Sequence, residues 1–195
     1  VDQGLARSQW NALTDAYRAL GHKVESVEPD AELPDMVFAA NCALVLDGKV
    51  FGSRFHAPQR RPEEEADAGW FKVAGLDVHR SEAVCEGEGD LVPVGGHILA
   101  GTGFRTTTEA HREVQEFFGV PVIGLRLVDP YFYHLDTALF VLDDGSDGHT
   151  ANIAYFPEAF SPGSLAVLRR MFPDAVVATR EDAMAHDRMG NLSPR

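Results

Sequence analysis

The sequence predicts an α/β protein, and three observations carry the prediction. Short apolar runs recur as strand, strand, helix, strand along the chain. Two of the strand pairs are joined by tight Asp-Gly or Gly-Gly turns. The helical stretches between them end in glycine or start at Ser, Thr or Pro.

In order, Trp10, Leu13, Tyr17 and Leu20 fall at helical spacing within Gln9–Leu20, and Gly21 stops that helix. Val24–Val27 reads as a short strand and Pro29–Pro34 as a loop. Met36–Ala40 reads as a buried run that Asn41 interrupts. Ala43–Leu46 then turns through Asp47-Gly48 into Val50-Phe51. The charged stretch Arg60–Asp67, with Pro62 near its start, reads as the beginning of an exposed helix. Phe71–Leu76 and Val78-His79 are the next strand signals. A second hairpin joins Leu91–Val94 to His97–Ala100 across Gly95-Gly96. A helix follows from Thr106 to Phe118, closed by Gly119. Strands are expected near Val122–Leu127, Ala138–Leu142 and Ile153–Tyr155. A last helix, Ser164–Met171, follows the Ser161-Pro162-Gly163 turn, and Ala175–Ala178 closes the pattern as a strand. If each strand pair belongs to one copy of a repeated unit, the polar breaks at Asn41, Asp90 and His134-Leu135-Asp136 would meet at one centre.

With 195 residues the chain fits a single domain, 1–195, whose segment 185–195 is atypical. A net charge of −13 leaves no basic field for phosphates, so nucleic acid and anionic membrane are not expected partners. No apolar run reaches the length of a bilayer span. Two cysteines, Cys42 and Cys85, are too few for a disulfide framework and lack metal-ligand spacing. The expectation is a cytoplasmic protein with no metal and no cofactor; self-association is left open.

Three constellations can carry chemistry. Glu86-Gly87-Glu88-Gly89-Asp90 packs carboxylates that repel one another unless a cation or proton lies between them. On its own the run also reads as a solvated acidic turn. Gly101-Thr102-Gly103-Phe104-Arg105-Thr106-Thr107 is a strand-to-helix junction with one Arg suited to a carboxylate or phosphate; it equally reads as a plain turn with a capped helix. In Tyr133-His134-Leu135-Asp136, a strand would put His134 and Asp136 on one face, an acid/base group beside an anion. A structural core histidine is the alternative.

In this order the three sets resemble the dimethylarginine dimethylaminohydrolase, arginine deiminase and amidinotransferase superfamily. Phe38-Ala39-Ala40-Asn41 and Arg60-Arg61-Pro62-Glu63 extend the resemblance to about residues 5 to 185. It implies a pseudo-fivefold, pentein-like α/β propeller, here incomplete, with its site at the central channel. It implies hydrolysis of arginine-like guanidino compounds, with His134 as general acid/base and Glu86 or Glu88 as supporting carboxylate. The family often reads Glu-X-Gly-Asp, so Glu-Gly-Glu-Gly-Asp leaves the register open. Asn41, Arg60, Asp90, Arg105 and Asp136 would bind the small guanidino substrate, Arg60 and Arg105 through its α-carboxylate. Asp136 stands where dimethylarginine hydrolases often carry Lys, and Asn41 where relatives often carry Asp. The family's nucleophile is a cysteine well after the histidine; no cysteine follows His134 here, so truncation is expected. An inactive binding remnant and an amidinotransferase are the competing readings.

Overall fold

The structure, a computed structural model, describes residues 2–184; the segment 185–195, set apart above as an atypical tail, lies outside the described residues. Helix α1 (Gln3–Ala19) comes first, its N-terminus capped by the Asp2 carboxylate, which accepts from the Leu5 N–H. Three ββαβ units follow. The first holds β1 (Ala43–Leu46), β2 (Lys49–Gly52), α2 (Glu63–Val73) and β3 (Val78–Arg80). The second holds β4 (Leu91–Val94), β5 (His97–Thr102), α3 (Thr108–Phe118) and β6 (Val122–Arg126). The third holds β7 (Leu139–Asp143), β8 (Asn152–Tyr155), α4 (Pro162–Met171) and β9 (Val176–Val177); α5 (Arg180–Ala183) ends the described chain.

Each unit makes its own three-stranded sheet with one antiparallel and one parallel pair. The hairpins fit the turn chemistry, with Asp47 and Gly48 both at positive φ before β2 and Gly95 and Gly96 likewise before β5. The parallel strand returns after a helix because a parallel pair needs a long crossover. One hydrogen bond marks the units as equivalent. Ser53 N–H donates to Cys42 O, Gly101 N–H to Asp90 O and Phe156 N–H to Ala138 O.

Helices are shared between neighbouring units. Phe117 of α3 lies against Phe51 and His79 of the first sheet. Leu168 and Phe172, from α4 and its end, pack with Leu99, Leu125 and Leu127 of the second sheet. The third sheet leaves Phe140, Leu142, Val176 and Val177 exposed.

A 3-10 turn precedes the first strand of every unit: Ala39–Asn41, Gly87–Gly89 and Leu135–Thr137, evenly spaced along the chain. The second turn packs on both others, so the three polar breaks do converge. Gly87 is the hinge of that packing. It has φ +54, and a Cβ there would come within 2.7 Å of Ala43 N and O and 2.8 Å of Ala40 O.

Several local expectations are corrected. Val24–Val27 forms no strand; it is irregular, and no neighbouring strand pairs with it. The stretch from Phe71 begins as the end of α2, because Glu63, Glu64 and Glu65 in the first turn and Lys72 in the last suit the helix dipole. Met36–Ala40 is two 3-10 turns rather than a buried run, with Val37 and Phe38 exposed. His134 caps a 3-10 turn instead of lying in a strand, so it and Asp136 do not share a face by strand alternation.

Gly87→Ala should cost roughly 2–4 kcal/mol from backbone strain plus overpacking, measured by urea unfolding. Gly148→Ala, at φ +79 with open space around it, should cost about 1 kcal/mol. Equal costs would mean that the close approach at Gly87 carries no energy.

Candidate active site

The turns deliver a buried imidazole between two buried carboxylates. Gly87 and Gly89 let the acidic run curl tightly, so Glu86 and Asp90 at its ends both reach His134. Glu86 Oε2 lies 3.2 Å from His134 Nε2 and Asp90 Oδ2 lies 3.3 Å from His134 Nδ1. Relative exposures are 0 % for Glu86, 1 % for Asp90 and 6 % for His134, so water screens these contacts little. They are close charge pairs rather than aligned hydrogen bonds, since His134 Nδ1 and Glu86 Oε2 have no well-aligned partner.

The other carboxylate oxygens are tied to the backbone. Glu86 Oε1 accepts from the His56 N–H at 3.0 Å and faces Arg105 Nη1 at 3.5 Å. Asp90 Oδ1 accepts from the Leu135 N–H at 3.1 Å; its Oδ2 accepts from the Thr106 hydroxyl at 2.7 Å and the Thr106 N–H at 3.2 Å. Asp90, expected to meet substrate, therefore spends both oxygens on the chain itself.

Burial alone would lower the His134 pKa, but Asp90 and Glu86 more than reverse it and hold it at about 9. Burial likewise pushes the Glu86 carboxyl up, and His134, the His56 amide and Arg105 bring it below its ordinary value. Asp136 behaves differently. Its Oδ1 is buried without a partner, and burial raises its carboxyl to about 6, opposed by His134 and reinforced by Asp90. A buried acceptor lacking a donor is costly to keep empty, so Asp136 offers a place for an N–H cation.

Of the remaining expected residues, Arg105 stands at this cluster with its guanidinium 4.7 Å from the Tyr133 ring centre, partly exposed. Glu88 is exposed, and of the two glutamates Glu86 is the one against the imidazole. Arg60 is buried: it pairs with Glu63 at 2.8 Å, donates to Asn41 Oδ1 at 2.9 Å and stacks on Phe55 at 4.2 Å. The guanidinium expected to grip substrate is thus held inside the fold, where it fixes the Asn41 amide. A Cβ at Gly89 would come within 2.3 Å of the Asn41 Nδ2 and 3.3 Å of the His134 Nδ1, so only glycine fits between them.

Neither cysteine is a ready nucleophile. Burial pushes the Cys42 thiol up to about 12, with Asp67 and Glu88 adding to it. Burial does the same to Cys85, also to about 12, against the Gly87 amide. Among the described residues no His, Cys, Asp and Glu cluster could hold a metal, and no helix is long and apolar enough to cross a membrane.

Thr106 and the His56 amide escaped sequence reading. Thr106 sat in the junction read for Arg105 and for a helix cap, and only its 1 % exposure distinguishes it from a capping residue. A main-chain donor such as His56 leaves no signal in side-chain type.

The fold and the site define an α/β protein of repeated ββαβ units that enclose a histidine between two carboxylates, and the comparisons establish its family. No family model matches the chain. It is 46 % identical over 183 residues to an N(G),N(G)-dimethylarginine dimethylaminohydrolase of Mycobacterium tuberculosis, covering 94 % of this chain and 59 % of that protein. Against the bifunctional arginine dihydrolase/ornithine cyclodeaminase ArgZ of Synechocystis it is 34 % identical over 175 residues, covering 88 % of this chain and 24 % of the relative. The crystal structure of the N-terminal domain of ArgZ bound to substrate, an arginine dihydrolase of Cyanobacteria, superposes with a TM-score of 0.84 at 33 % identity, over 94 % of this chain and 67 % of that one. The chain belongs to the dimethylarginine dimethylaminohydrolase, arginine deiminase and amidinotransferase superfamily. It spans about three fifths of the length of the Mycobacterium relative.

A histidine pKa raised from 6.5 to about 9 contributes about 3 kcal/mol of stability at 1.36 kcal/mol per unit. Because the folded pKa is the higher one, that stability is complete below about pH 6.5 and lost as pH rises through about 9. Urea unfolding at pH 6.5 and 9.5 should differ by about 2–3 kcal/mol, and the difference should shrink in His134→Gln. A flat profile would mean that the imidazole is not held charged.

Proposed function

We propose that this chain carries the proton-shuttle and substrate-gripping part of a hydrolase acting on arginine-like guanidino compounds. The observation that supports this best is the buried His134 between Glu86 and Asp90, with the unpartnered Asp136 oxygen close enough to feel its charge. A guanidinium N–H would satisfy Asp136 Oδ1, and the remaining donors of Arg105 would take the substrate's carboxylate. The imidazolium then gives a proton to the departing amine and, once neutral, accepts one from the attacking water. Glu86 and Asp90 stabilise the charged state of the ring in that cycle.

The wider fold we propose is the five-bladed propeller, of which the three ββαβ units are three. Its support is the even spacing of the three inward turns, together with the sheet face at Phe140 and Leu142, which is exposed among the described residues. Residues 1–195 form part of one domain in this reading, and the two unpaired cysteines suit a cytoplasmic setting.

A second reading is binding without turnover by this chain. It is favoured by the thiols of Cys42 and Cys85, both pushed up to about 12, since covalent chemistry on the guanidinium carbon needs a thiolate.

The test is ureido-product formation from arginine and from methylated arginines by the protein expressed from its complete reading frame. Activity needs Asp136 ionised and His134 protonated, so kcat/KM should be bell-shaped with limbs near the values held here, about 6 and about 9. His134→Gln should lower kcat by roughly 10²–10⁴-fold, while Asp136→Asn should chiefly raise KM. Binding of arginine with no product, in that protein, would leave the second reading; no binding would overturn both.

A further inference from the structure

Thr106 has the connections of a part that aligns the site. It is 1 % exposed, on the short segment between β5 and α3. Its hydroxyl donates to Asp90 Oδ2 at 2.7 Å and accepts from the Glu86 N–H at 3.0 Å. A hydroxyl has one proton, so donating to Asp90 leaves its lone pairs to receive the Glu86 amide, and both bonds form together. Its own N–H donates to the same Asp90 oxygen at 3.2 Å, and its carbonyl accepts from the Thr102 hydroxyl at 2.8 Å. One side chain thus ties the residues at both ends of the acidic turn, and those residues are the two that flank His134.

We propose that Thr106 is a positioning residue: it locks Asp90 Oδ2 beside His134 Nδ1, and through the Glu86 amide fixes where the second carboxylate begins. Asp90 Oδ2, the oxygen that faces the ring, is also the one that accepts from the Thr106 hydroxyl and amide, while Asp90 Oδ1 is spent on the Leu135 N–H. The side chain is therefore fixed at both oxygens. Asp90 is then held against the Nδ1 side of the ring, and Nε2 is turned to Glu86. The charged and titratable groups facing His134 are Glu86, Asp90 and, by charge alone, Asp136; the Tyr133 ring packs against it at 4.8 Å, and Arg105 reaches it through Glu86 and Tyr133. Thr106 touches two of these groups and bears no charge, so its removal moves geometry and leaves the count of charges unaltered. The functional consequence rests on the reading of His134 as proton shuttle; the positioning itself does not.

The experiment follows the His134 ring by nitrogen-15 NMR in histidine-labelled protein, assigned by the signal lost in His134→Gln, across pH 5 to 10. No turnover is involved, so a failure here is separate from a failure of the proposed hydrolysis. Thr106→Val keeps the shape and removes both hydroxyl bonds. It should lower the His134 midpoint by about one unit, the size of losing one well-placed carboxylate. Thr106→Ser restores the hydroxyl and should titrate as the unaltered protein does. Thr102→Val loosens the same segment without touching either carboxylate, and should leave the midpoint in place. An unmoved midpoint in folded Thr106→Val, or an equal shift in Thr102→Val, overturns the proposal. The unaltered protein gives a reading that needs no variant. The Thr106 hydroxyl proton should exchange slowly with water and show a cross-relaxation signal to the Glu86 amide, and a rapidly exchanging hydroxyl also overturns it.

Discussion

The structure depends on holding one imidazolium between two carboxylates away from water. Taking such charges out of solvent costs several kcal/mol per ion, and their mutual attraction offsets it only with good geometry and with donors for the leftover oxygens. Those donors are here: the His56, Thr106 and Leu135 amides and the Thr106 hydroxyl. They come from all three units: His56 follows β2 of the first, Thr106 follows β5 of the second, and Leu135 opens the turn before β7 of the third. Each donor exists at the required place only if neighbouring units pack correctly. The charge cluster and the assembly of units are therefore a single constraint.

That constraint accounts for the glycines. In the 3-10 turn whose end residues both face one histidine, the positions of Gly87 and Gly89 have no room for a side chain, while Glu88 between them points outward. A Cβ at Gly87 would meet the backbone of Ala40 and Ala43 in the first unit, and one at Gly101 would meet the Asp90 and Leu135 side chains, so neither position admits a side chain. The helices complete the arrangement from outside, α3 filling the space between the first and second sheets and α4 that between the second and third. Glu113 on α3 adds a polar tie, accepting from the Ser81 hydroxyl and the Glu82 and Ala83 amides on the segment that leads to Glu86.

Much of this is legible in the sequence because it rests on local signals. The Asp47-Gly48 and Gly95-Gly96 turns fix two hairpins, and Gly119 at φ +73 ends α3 as a left-handed cap does. The convergence of Asn41, Asp90 and His134 is readable from the repeated breaks. Other features are tertiary and leave no local trace. Phe71 has strand propensity, yet the run of Glu residues before it and the packing of α2 on β2 make it helical. His134 and Asp136 alternate like strand residues, but Leu135 is drawn inward at 0 % exposure and the backbone bends into a 3-10 turn around it. Arg60 looks like a substrate ligand because an Arg followed by Pro and Glu fits the family pattern. Only the three-dimensional placement of Glu63 and Phe55 shows the guanidinium enclosed by the fold.

The central claim, that His134 is held as a cation by its two carboxylates, is tested most directly by a double-mutant cycle between Glu86→Gln and His134→Gln, read by urea unfolding at pH 7 and again at pH 10. The account predicts a coupling of more than about 1 kcal/mol at pH 7 that largely vanishes at pH 10, where the ring is neutral. A coupling near zero at pH 7, or one of equal size at both pH values, would contradict it.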